Sequence, residues 1–310
     1  MTVQQLREAK KRKYDEFYTR YQEIEAEVNA YLDYDPDTFA NKTVLLPCDD
    51  PEWSNFTLDH DINKNGRIDI DDIQWSYLNG DGDFRSDEVT KLRDEADIIC
   101  TNPPFSLFRE FFKWINEFQK KYIILGNIRA IGYKEIFPFF KENKTWLGVT
   151  MHGQKFMFYV PNTCKLYASK CGTDFTNDKQ FIMLGGVRWF TNIDHGRRHE
   201  PLILMTKADN LRYSKHKEIR CKSDYEHYDN LDAIEVPFVD AIPSDYDGIM
   251  GVPISFLDKY CPEQFEVIGS KNGWDLQING RHPFRRILIK RKKTTLISDI
   301  SRNGYFDNAH

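Results

Sequence analysis

Four short apolar runs, separated by stretches with helical periodicity, constrain the fold of this chain more than any other feature of its sequence. The runs are Thr43–Leu46, Asp97–Thr101, Tyr122–Gly126 and Thr145–Val149. Short apolar runs bounded by polar residues or Pro are typical of buried strands. Helical patterns lie between them, in Ser106–Phe118 and Tyr133–Asn143. Strands that alternate with helices predict an α/β fold, with a parallel sheet covered on both faces.

The pattern changes towards both ends of the chain. Residues 5–32 predict a charged amphipathic helix that ends before Asp35-Pro36. The apolar side chains expected on one face of that helix are Tyr21, Ile24, Val28 and Tyr31. Further strands are predicted at Lys155–Val160, Val187–Thr191 and Leu202–Met205. We expect two parts: residues 1–150 form the core, and residues 151–310 contain the end of the core sheet followed by an irregular α+β region.

The composition excludes several classes of protein. Of the 310 residues, 40% are apolar, which is enough for a core and excludes wholesale disorder. The mean hydropathy of −0.62 and the lack of any apolar run near ~18 residues exclude a membrane span. Six scattered cysteines without a Cys-x-x-Cys pair, and a charged start without an apolar segment, indicate free thiols in a reducing cytoplasm.

Positive charge is concentrated in two segments, although the net charge is −5. Residues 204–222 carry six Lys or Arg and two acids, and residues 281–293 carry seven Lys or Arg and no acid. Such runs are often only solvated surface, but two of them in one region of an acidic protein favour a surface that contacts phosphate groups. The candidate cations, which include two arginines just before the first segment, are Arg197, Arg198, Lys215, Lys217, Arg285 and Arg286.

The tetrapeptide Asn102-Pro103-Pro104-Phe105 is the most informative motif. It follows a predicted strand and precedes a predicted helix, and ligands bind at the carboxyl ends of strands in open parallel sheets. Asn102 supplies a side-chain carbonyl, and Pro103 presents only its backbone carbonyl because it has no N–H group. These two acceptors can receive both hydrogens of one –NH₂ group, while the Phe105 ring stacks on a heterocycle. An ordinary Asn-Pro-Pro turn is the alternative.

Two such acceptors suit methyl transfer to an exocyclic amino group. The lone pair of that nitrogen is delocalised into its ring, and holding both hydrogens out of the ring plane frees it. A sulfonium methyl donor placed in line then reacts without a strong general base, because the proton leaves after transfer. Catalysis is mostly positioning and desolvation, and a base in a duplex must be flipped out to reach the pocket.

The chain resembles the EcoRI-type family of adenine-specific DNA methyltransferases. The stretches that carry the resemblance are Asp15–Thr19, Pro47–Phe56, Gly80–Glu88, Thr101–Glu110, Tyr133–Phe137, Trp189–Leu202 and Ala241–Phe256. The resemblance implies a Rossmann-like sheet that binds S-adenosylmethionine, and a C-terminal region that recognises the DNA target. It also implies catalysis by Asn102, Pro103, Pro104 and Phe105 on double-stranded DNA. The expected setting is a restriction–modification system, with a cognate restriction endonuclease as a partner.

The resemblance further implies which residues hold the cofactor. The candidates are Phe17, Tyr18, Thr19, Asp49, Asp50, Asn55, Asp83 and Phe84. Asp83 is expected to accept a hydrogen bond from the cofactor adenine, and Phe84 to stack on it. The sequence departs from the family pattern after Phe56, which runs almost directly into Thr57-Leu58-Asp59. A segment that would carry the acidic ligand of the cofactor ribose is therefore lacking.

The acidic segment after Phe56 raises a competing hypothesis. Its oxygen-bearing residues at the ligand positions of a calcium-binding loop are Asp61, Asn63, Asn65, Asp69 and Asp72. The loop ends in Asp instead of the usual Glu, and no entering helix is evident before it. We expect an acidic surface turn and no metal in the reaction, with a structural calcium site as the alternative.

Three functions are compatible with these observations. The first, which we favour, is a site-specific enzyme that methylates N6 of adenine in DNA. The second is a catalytically inactive DNA-binding or calcium-binding relative, because a segment is lacking and the acidic loop is present. The third is methyl transfer to RNA or to a protein amide, since an amide –NH₂ fits the same two acceptors. The basic segments favour a nucleic acid.

Overall fold

The computed structural model divides the chain into two units, Met1–Arg197 and Arg198–His310. The described residues are 17–48, 54–57, 64, 74–78, 82–150, 153–160, 171–174, 176 and 179–292, with the side chains of 54–57 and 74–77 left out. The strands between residue 150 and Thr191 belong to the first unit.

The first unit contains eleven strands and four α-helices within the described ranges. The strands are β1 (Tyr18–Thr19), β2 (Val44–Leu45), β3 (Ser54–Thr57), β4 (Gln74–Tyr77), β5 (Ile98–Thr101), β6 (Lys121–Asn127), β7 (Trp146–Leu147), β8 (Lys155–Val160), β9 (Cys171–Asp174), β10 (Lys179–Gly185) and β11 (Val187–Thr191). The helices are α1 (Tyr21–Leu32), α2 (Asp87–Glu95), α3 (Phe108–Asn116) and α4 (Phe137–Lys141). The four apolar runs contain β2, β5, β6 and β7, so the predicted strands are present. The expected burial is wrong for the first run, because Val44 and Leu46 are each 36% exposed.

The central sheet has the strand order β2-β5-β6-β11-β7. β2, β5 and β6 are parallel, with Leu45 opposite Ile99 and Cys100 opposite Ile123. β11 is antiparallel to both β6 and β7. The expectation of a fully parallel sheet is therefore wrong on this side, because the completely buried strand β11, and not β7, lies next to β6. The fold is a mixed α/β structure.

Helices cover one face of the central sheet. Tyr122 of β6 contacts Phe112 of α3, with ring centroids 5.9 Å apart. A Cβ atom at Gly126 would lie 2.5 Å from the ring of Phe108, the first residue of α3. A larger residue at position 126 would push this helix away from the sheet. Gly126 thus allows α3, the helix that follows the Asn-Pro-Pro-Phe tetrapeptide, to pack closely against β6.

A second sheet and α1 cover the opposite face. The second sheet is antiparallel, with the order β1-β8-β10-β9. Leu125 of β6 and Trp189 of β11 lie in one buried cluster with Tyr31 of α1 and with Phe156 and Phe158 of β8. The period-two alternation along β6 therefore divides its side chains between helices on one face and this cluster on the other. The predicted coverage of both faces is confirmed.

The N-terminal helix is shorter than predicted. α1 begins at Tyr21, because Tyr18 and Thr19 form β1 and pair with Tyr159 and Phe158 of β8. Its buried residues are Glu23, Glu27 and Tyr31, whereas Tyr21 is 72% exposed. The predicted apolar face is therefore only partly correct. Two carboxylates occupy buried positions of the helix.

Buried Glu27 ties α1 to the chain that follows β7. Its carboxylate accepts hydrogen bonds from the backbone N–H groups of Val149 and Thr150, at 2.8 and 2.7 Å. The hydroxyls of Thr150 and Tyr31 also donate to it, at 2.6 and 3.0 Å. Burial, and secondarily the Glu27 charge, raise the pKa of Tyr31 well above its ordinary value, so Tyr31 remains a donor. A buried charge is tolerated here because hydrogen bonds replace its hydration.

Two other predicted elements differ from the structure. The helix predicted at Tyr133–Asn143 is reduced to α4, which begins at Phe137, because Pro138 suits only the first turn of a helix. The strand predicted at Leu202–Met205 is wrong: these residues form no ladder among the described strands, and Ile203 is fully exposed. Other groups bind its backbone instead: the Gln264 side chain bonds both the N–H and the carbonyl of Leu202, and the N–H of Ser244 donates to the carbonyl of Met205.

The second unit combines one α-helix with a five-stranded sheet in its described part. The elements are α5 (Lys207–Tyr213), β12 (His227–Tyr228), β13 (Leu231–Glu235), β14 (Ile249–Pro253), β15 (Phe265–Lys271) and β16 (Arg286–Arg291). The strand order is β12-β13-β14-β16-β15, and only the pair β13–β14 is parallel. None of the helices described in either unit has the length and apolar character needed to cross a membrane.

The Glu27 contacts generate a stability prediction. Replacing Glu27 by Ala leaves two backbone N–H groups and two hydroxyls without their acceptor, so we expect the free energy of unfolding to fall by about 3 kcal/mol. Urea unfolding followed by circular dichroism measures the change. Glu25→Ala is the matched control, because Glu25 is an exposed residue of the same helix and its loss should change the stability little. Equal stability of the two variants would contradict the assigned role of Glu27.

Candidate active site

The Asn-Pro-Pro-Phe tetrapeptide lies where the parallel strand β5 ends. Asn102 follows Thr101, the last residue of β5, and Phe105 begins a short 3-10 turn that leads into α3. The carbonyl of Pro104 accepts the N–H of Leu107 in this turn, at 2.9 Å. The Pro104 carbonyl is therefore used within the chain, and Pro103 is itself a buried residue. The predicted acceptor role of the Pro103 carbonyl stays a prediction.

A hydrogen bond fixes the orientation of the Asn102 carboxamide. Its Nδ2 donates to the backbone carbonyl of Phe17, at 2.5 Å. A carbonyl can only accept, so the nitrogen side of the amide must face Phe17. The Oδ1 acceptor of half-buried Asn102 therefore lies on the other side of the amide, and this atom is itself buried. Phe17 and Asn102 are 85 residues apart in the sequence.

Three phenylalanine rings form a cluster beside Asn102. Phe105 lies 5.8 Å from Phe17 and 6.2 Å from Phe158 between ring centroids. Phe17 and Phe158 are 5.6 Å apart. Phe158 is completely buried, whereas Phe17 and Phe105 are half-buried. The cluster holds the two half-buried rings in defined positions and gives the site an aromatic wall.

The loop after β2 approaches the same strand end. The N–H of Cys48 donates to Oγ1 of Thr101, at 3.2 Å, and Thr101 immediately precedes Asn102. This loop continues into Asp49 and Asp50. Those two residues and the side chain of Asn55 lie outside the described part of the structure, and their predicted contacts with the cofactor stay predictions.

Thr19 of β1 carries a hydrogen-bonding group that the described residues do not satisfy. Its Oγ1 is buried and has no hydrogen-bond partner among them. A buried hydroxyl without a hydrogen-bond partner costs free energy. A polar ligand that bonds to this hydroxyl would offset that cost. Its neighbour Tyr18 is 39% exposed. β1 thus brings an exposed ring and an unsatisfied hydroxyl close to the Phe17–Asn102 contact.

Asp83 and Phe84 lie at the start of α2 and are both covered by Arg85. The guanidinium of Arg85 binds both carboxylate oxygens of Asp83, at 2.9 and 2.6 Å. It also lies 5.5 Å from the centroid of the Phe84 ring and reaches Glu110 of α3, at 3.3 Å. The hydrogen bonds that Arg85 donates to Asp83, opposed in part by desolvation, raise the pKa of Arg85 above its ordinary value.

The Phe84 ring packs into the core next to α3. It makes edge contacts with Phe111 and Trp114, at 5.2 and 5.6 Å between centroids, and is 4% exposed. A ligand that stacks on Phe84 must therefore use the side on which Arg85 lies. Arg85 thus binds the carboxylate of Asp83 and lies beside the ring of Phe84. The predicted contacts of this pair with the cofactor adenine stay predictions.

The candidate DNA-binding cations differ in their exposure. Lys215 and Lys217 are exposed after α5, although Lys215 pairs with Asp240 at 2.7 Å. Arg285 is half-buried before β16. Arg197 is half-buried in the first unit and donates to the carbonyl of Val149, at 2.9 Å.

Arg198 and Arg286 correct the sequence-based set. Both are 8% exposed, so neither guanidinium is displayed for phosphate contact in this structure. Arg286 binds the buried Glu235 with Nε at 2.9 Å and Nη2 at 2.5 Å, and the Tyr228 hydroxyl donates to the same carboxylate. A buried carboxylate needs such a partner, and this requirement outweighs a surface position for the arginine. Sequence alone does not separate such an arginine from its exposed neighbours.

All five ligand positions of the calcium-loop candidate lie outside the described residues. The strands β3 and β4 flank it and pair antiparallel, from Ser54 opposite Tyr77 to Thr57 opposite Gln74. A calcium-binding loop of the predicted type is flanked by helices. Elsewhere in the described part of the chain, no group of three or more His, Cys, Asp or Glu residues is arranged to hold a metal ion.

Two residues next to the predicted site were missed by the sequence analysis. Arg85 directly follows the predicted Asp83-Phe84 pair, so its place in the sequence could have indicated that it lies next to that pair. Phe158 had no such signal, because a residue of a distant strand reaches the site only through the pairing of β8 with β1. Long-range contacts of this kind depend on the tertiary fold.

Comparison with known proteins gives a consistent result. The chain matches the family described as "Adenine-specific methyltransferase EcoRI" over residues 5–58 and 57–306. Type II methyltransferase M.EcoRI of Escherichia coli is 39% identical, over 93% of this chain and 96% of that protein. Type II methyltransferase M.MpnI of Mycoplasma pneumoniae is 33% identical, over 93% of this chain and 98% of that protein. No solved structure matches the chain significantly.

The same comparison bears on the lacking segment. The two matched stretches meet at residues 57 and 58, directly after Phe56. The alignment with the Escherichia coli protein spans 329 positions, more than the 310 residues of this chain. That relative therefore carries residues that this chain lacks, as the departure from the family pattern predicts.

The Asn102 contact generates a second prediction. In Asn102→Asp a carboxylate oxygen replaces Nδ2, and two acceptors then face each other at the Phe17 carbonyl. We expect a loss of about 2 kcal/mol in the free energy of unfolding, measured by urea titration. Asn29→Asp is the control, because Asn29 is exposed on α1 and the same chemical change there should be nearly neutral. If Asn102→Asp were as stable as this control, the amide orientation assigned here would be wrong.

Proposed function

The chain belongs to the EcoRI-type family of adenine-specific methyltransferases, and on this basis we propose how its residues methylate DNA. The proposed reaction transfers a methyl group from S-adenosylmethionine to N6 of an adenine flipped out of double-stranded DNA. The proposed setting is a restriction–modification system in the cytoplasm, with a cognate restriction endonuclease as a partner. The proposed catalytic residues are Asn102, Pro103, Pro104 and Phe105.

The single observation that carries the proposal is the contact between Asn102 and Phe17. It joins the proposed catalytic tetrapeptide to the N-terminal segment proposed to hold the cofactor, at 2.5 Å. A methyl transferase must bring donor and acceptor molecules within bonding reach, so its two binding elements have to adjoin. Because Nδ2 of Asn102 donates to Phe17, the atom proposed to accept from the adenine amino group is Oδ1.

The tetrapeptide acts by positioning the amino group. Oδ1 of Asn102 and the carbonyl of Pro103 accept the two N6 hydrogens, and the rigid Pro103-Pro104 backbone fixes the distance between these acceptors. The N6 lone pair then points away from the ring and attacks the methyl carbon as the bond from that carbon to sulfur breaks. One N6 proton leaves afterwards to water. Phe105 stacks on the base, supported by Phe17 and Phe158.

The residues next to the tetrapeptide fit a nucleoside cofactor. S-adenosylmethionine supplies, when bound, an electrophilic methyl group on a sulfonium sulfur. The buried Thr19 Oγ1, which the described residues leave without a partner, is proposed to hydrogen-bond to it. Phe17 and Tyr18 provide apolar contact, Asp83 and Phe84 hold its adenine, and Asp49, Asp50 and Asn55 complete the site.

DNA binding is assigned to the second unit and to its basic segments. Lys215, Lys217 and Arg285 are the proposed phosphate contacts there, with Arg197 contributed by the first unit. Because the whole chain carries a net charge of −5, such local cations must supply the attraction to DNA. A DNA target is favoured over RNA or a protein amide by the relatives, which are type II methyltransferases.

Substitution of Asn102 tests the catalytic assignment. Asn102→Ala removes one of the two acceptors, and we expect the rate of methyl transfer to fall by about 10² to 10³. Incorporation of tritiated methyl groups into DNA measures the rate, and calorimetry measures binding of S-adenosylmethionine. Ser106→Ala is the control, because Ser106 is exposed directly after the tetrapeptide. Unchanged incorporation by Asn102→Ala would refute the role of Asn102, whereas no incorporation by the unmodified chain would refute the proposed activity.

The Arg85 contacts test the cofactor assignment. If Asp83 binds the cofactor adenine, Arg85 competes for the same carboxylate. Asp83→Ala should then weaken binding of S-adenosylmethionine about tenfold, and Arg85→Ala should strengthen it about threefold. Titration calorimetry measures both values. Lys91→Ala, an exposed cation of α2, is the control. Weaker binding by Arg85→Ala would mean that Arg85 itself holds the cofactor.

A further inference from the structure

The loop that joins β15 to β16, residues 272–285, displays two large aromatic rings. Trp274 is 83% exposed and Phe284 is 87% exposed. Other large aromatic residues of the second unit, such as Phe256 and Phe265, are completely buried. The two strands pair up to Lys271 opposite Arg286, so both rings project from the same end of one hairpin.

The rest of this loop is held firmly in place. Leu276 and Ile278 are buried in a small apolar cluster. Asn272 and Asp275 form a reciprocal capping box around the turn that carries Trp274. The Asp229 carboxylate accepts the N–H groups of the tight turn at residues 279–280, both at 3.2 Å. The exposed rings are therefore mounted on an ordered support.

The two ends of the loop are also in direct contact. A Cβ atom at Gly273 would lie 1.9 Å from the backbone oxygen of Pro283, so only glycine permits this approach. The Trp274 ring contacts His282, with centroids 5.3 Å apart. Trp274 and Phe284 thus belong to one surface whose backbone is ordered before anything binds to it.

The charge around this surface identifies its partner. Lys271 and Arg281 are exposed and Arg285 is half-buried at this end of the hairpin, whereas Lys290 lies further along β16, opposite exposed Glu266. Arg281 shares its charge with Glu226, and the carboxylate of Asp275 faces the backbone of its own turn. A second copy of the chain that bound here through the same surface would place its cations against these cations, and the two sets would repel each other. Aromatic faces between cations match a nucleic acid, in which bases alternate with phosphates.

We propose that Trp274 and Phe284 contact nucleobases of the bound DNA duplex, with Phe284 inserted against a base step and Arg285 on the adjoining phosphate. This inference rests on the proposed function, because it names the residues through which the second unit holds its DNA. An aromatic wedge unstacks neighbouring bases and so lowers the cost of flipping a nucleotide out of the duplex.

Binding measurements on the full chain test the proposal. The probe is a fluorescein-labelled duplex that contains the sequence methylated by the unmodified chain, as found by modified-base sequencing, and anisotropy is measured at several salt concentrations. We expect Phe284→Ala and Trp274→Ala each to weaken binding about tenfold with an unchanged salt dependence, because no charge is lost. Arg285→Ala should weaken binding and reduce the salt slope by about one.

Two further variants keep the test specific. Phe284→Tyr keeps an aromatic ring and should bind DNA as the unmodified chain does. Ile203→Ala, which truncates a fully exposed apolar side chain in the same unit, should also have no effect. Binding by Phe284→Ala equal to that of Ile203→Ala would overturn the proposal, as would a change of oligomeric state in sedimentation. Failure of the unmodified chain to bind any duplex would instead refute the proposed function.

Discussion

The hydrogen bond from Asn102 to the carbonyl of Phe17 is the contact on which the candidate site depends. It fixes the carboxamide of a residue at the end of β5 by means of a segment that precedes the whole sheet in the sequence. It holds the Nδ2 side of the amide against an acceptor, and a half-turn of the amide would present a donor in place of an acceptor. A grip on both hydrogens of an amino group requires acceptors only, so the orientation of this one side chain decides whether the tetrapeptide has the proposed chemistry.

The position of Phe17 in turn depends on two supports. β1 pairs with β8, which places Phe158 beside Phe17 and Phe105. Buried Glu27 then fixes α1, which begins directly after β1, to the backbone at Val149 and Thr150. The N-terminal segment is therefore held by a strand pairing and by a buried carboxylate. The site is consequently assembled from three distant parts of the chain, and its geometry is a property of the tertiary fold.

The sequence predicted those features that depend on local patterns. The apolar runs identified β2, β5, β6 and β7. For β5 and β6, burial on both faces explains the continuous apolar stretch. The tetrapeptide was recognisable because it lies between a strand and a helix. The position of β11 between β6 and β7 was not predictable, because strand order depends on long-range pairing. Arg286 was assigned to phosphate on account of its charge, and Glu27 was not singled out. Only the fold reveals the partners that allow their burial.

The burial of Arg286 changes how the basic segment at residues 281–293 has to be interpreted. A count of charges in the sequence treats every arginine as surface charge, but one of these guanidiniums neutralises Glu235 inside the second unit, and Arg281 pairs with Glu226. The electrostatic attraction available for DNA is therefore smaller than the count implies. Attraction of this kind also weakens steeply with salt. An interface with few unpaired cations gains affinity from contacts that are independent of salt, and an exposed aromatic ring on a rigid hairpin provides such a contact. The same fold that removes charge from this surface places two aromatic rings on it.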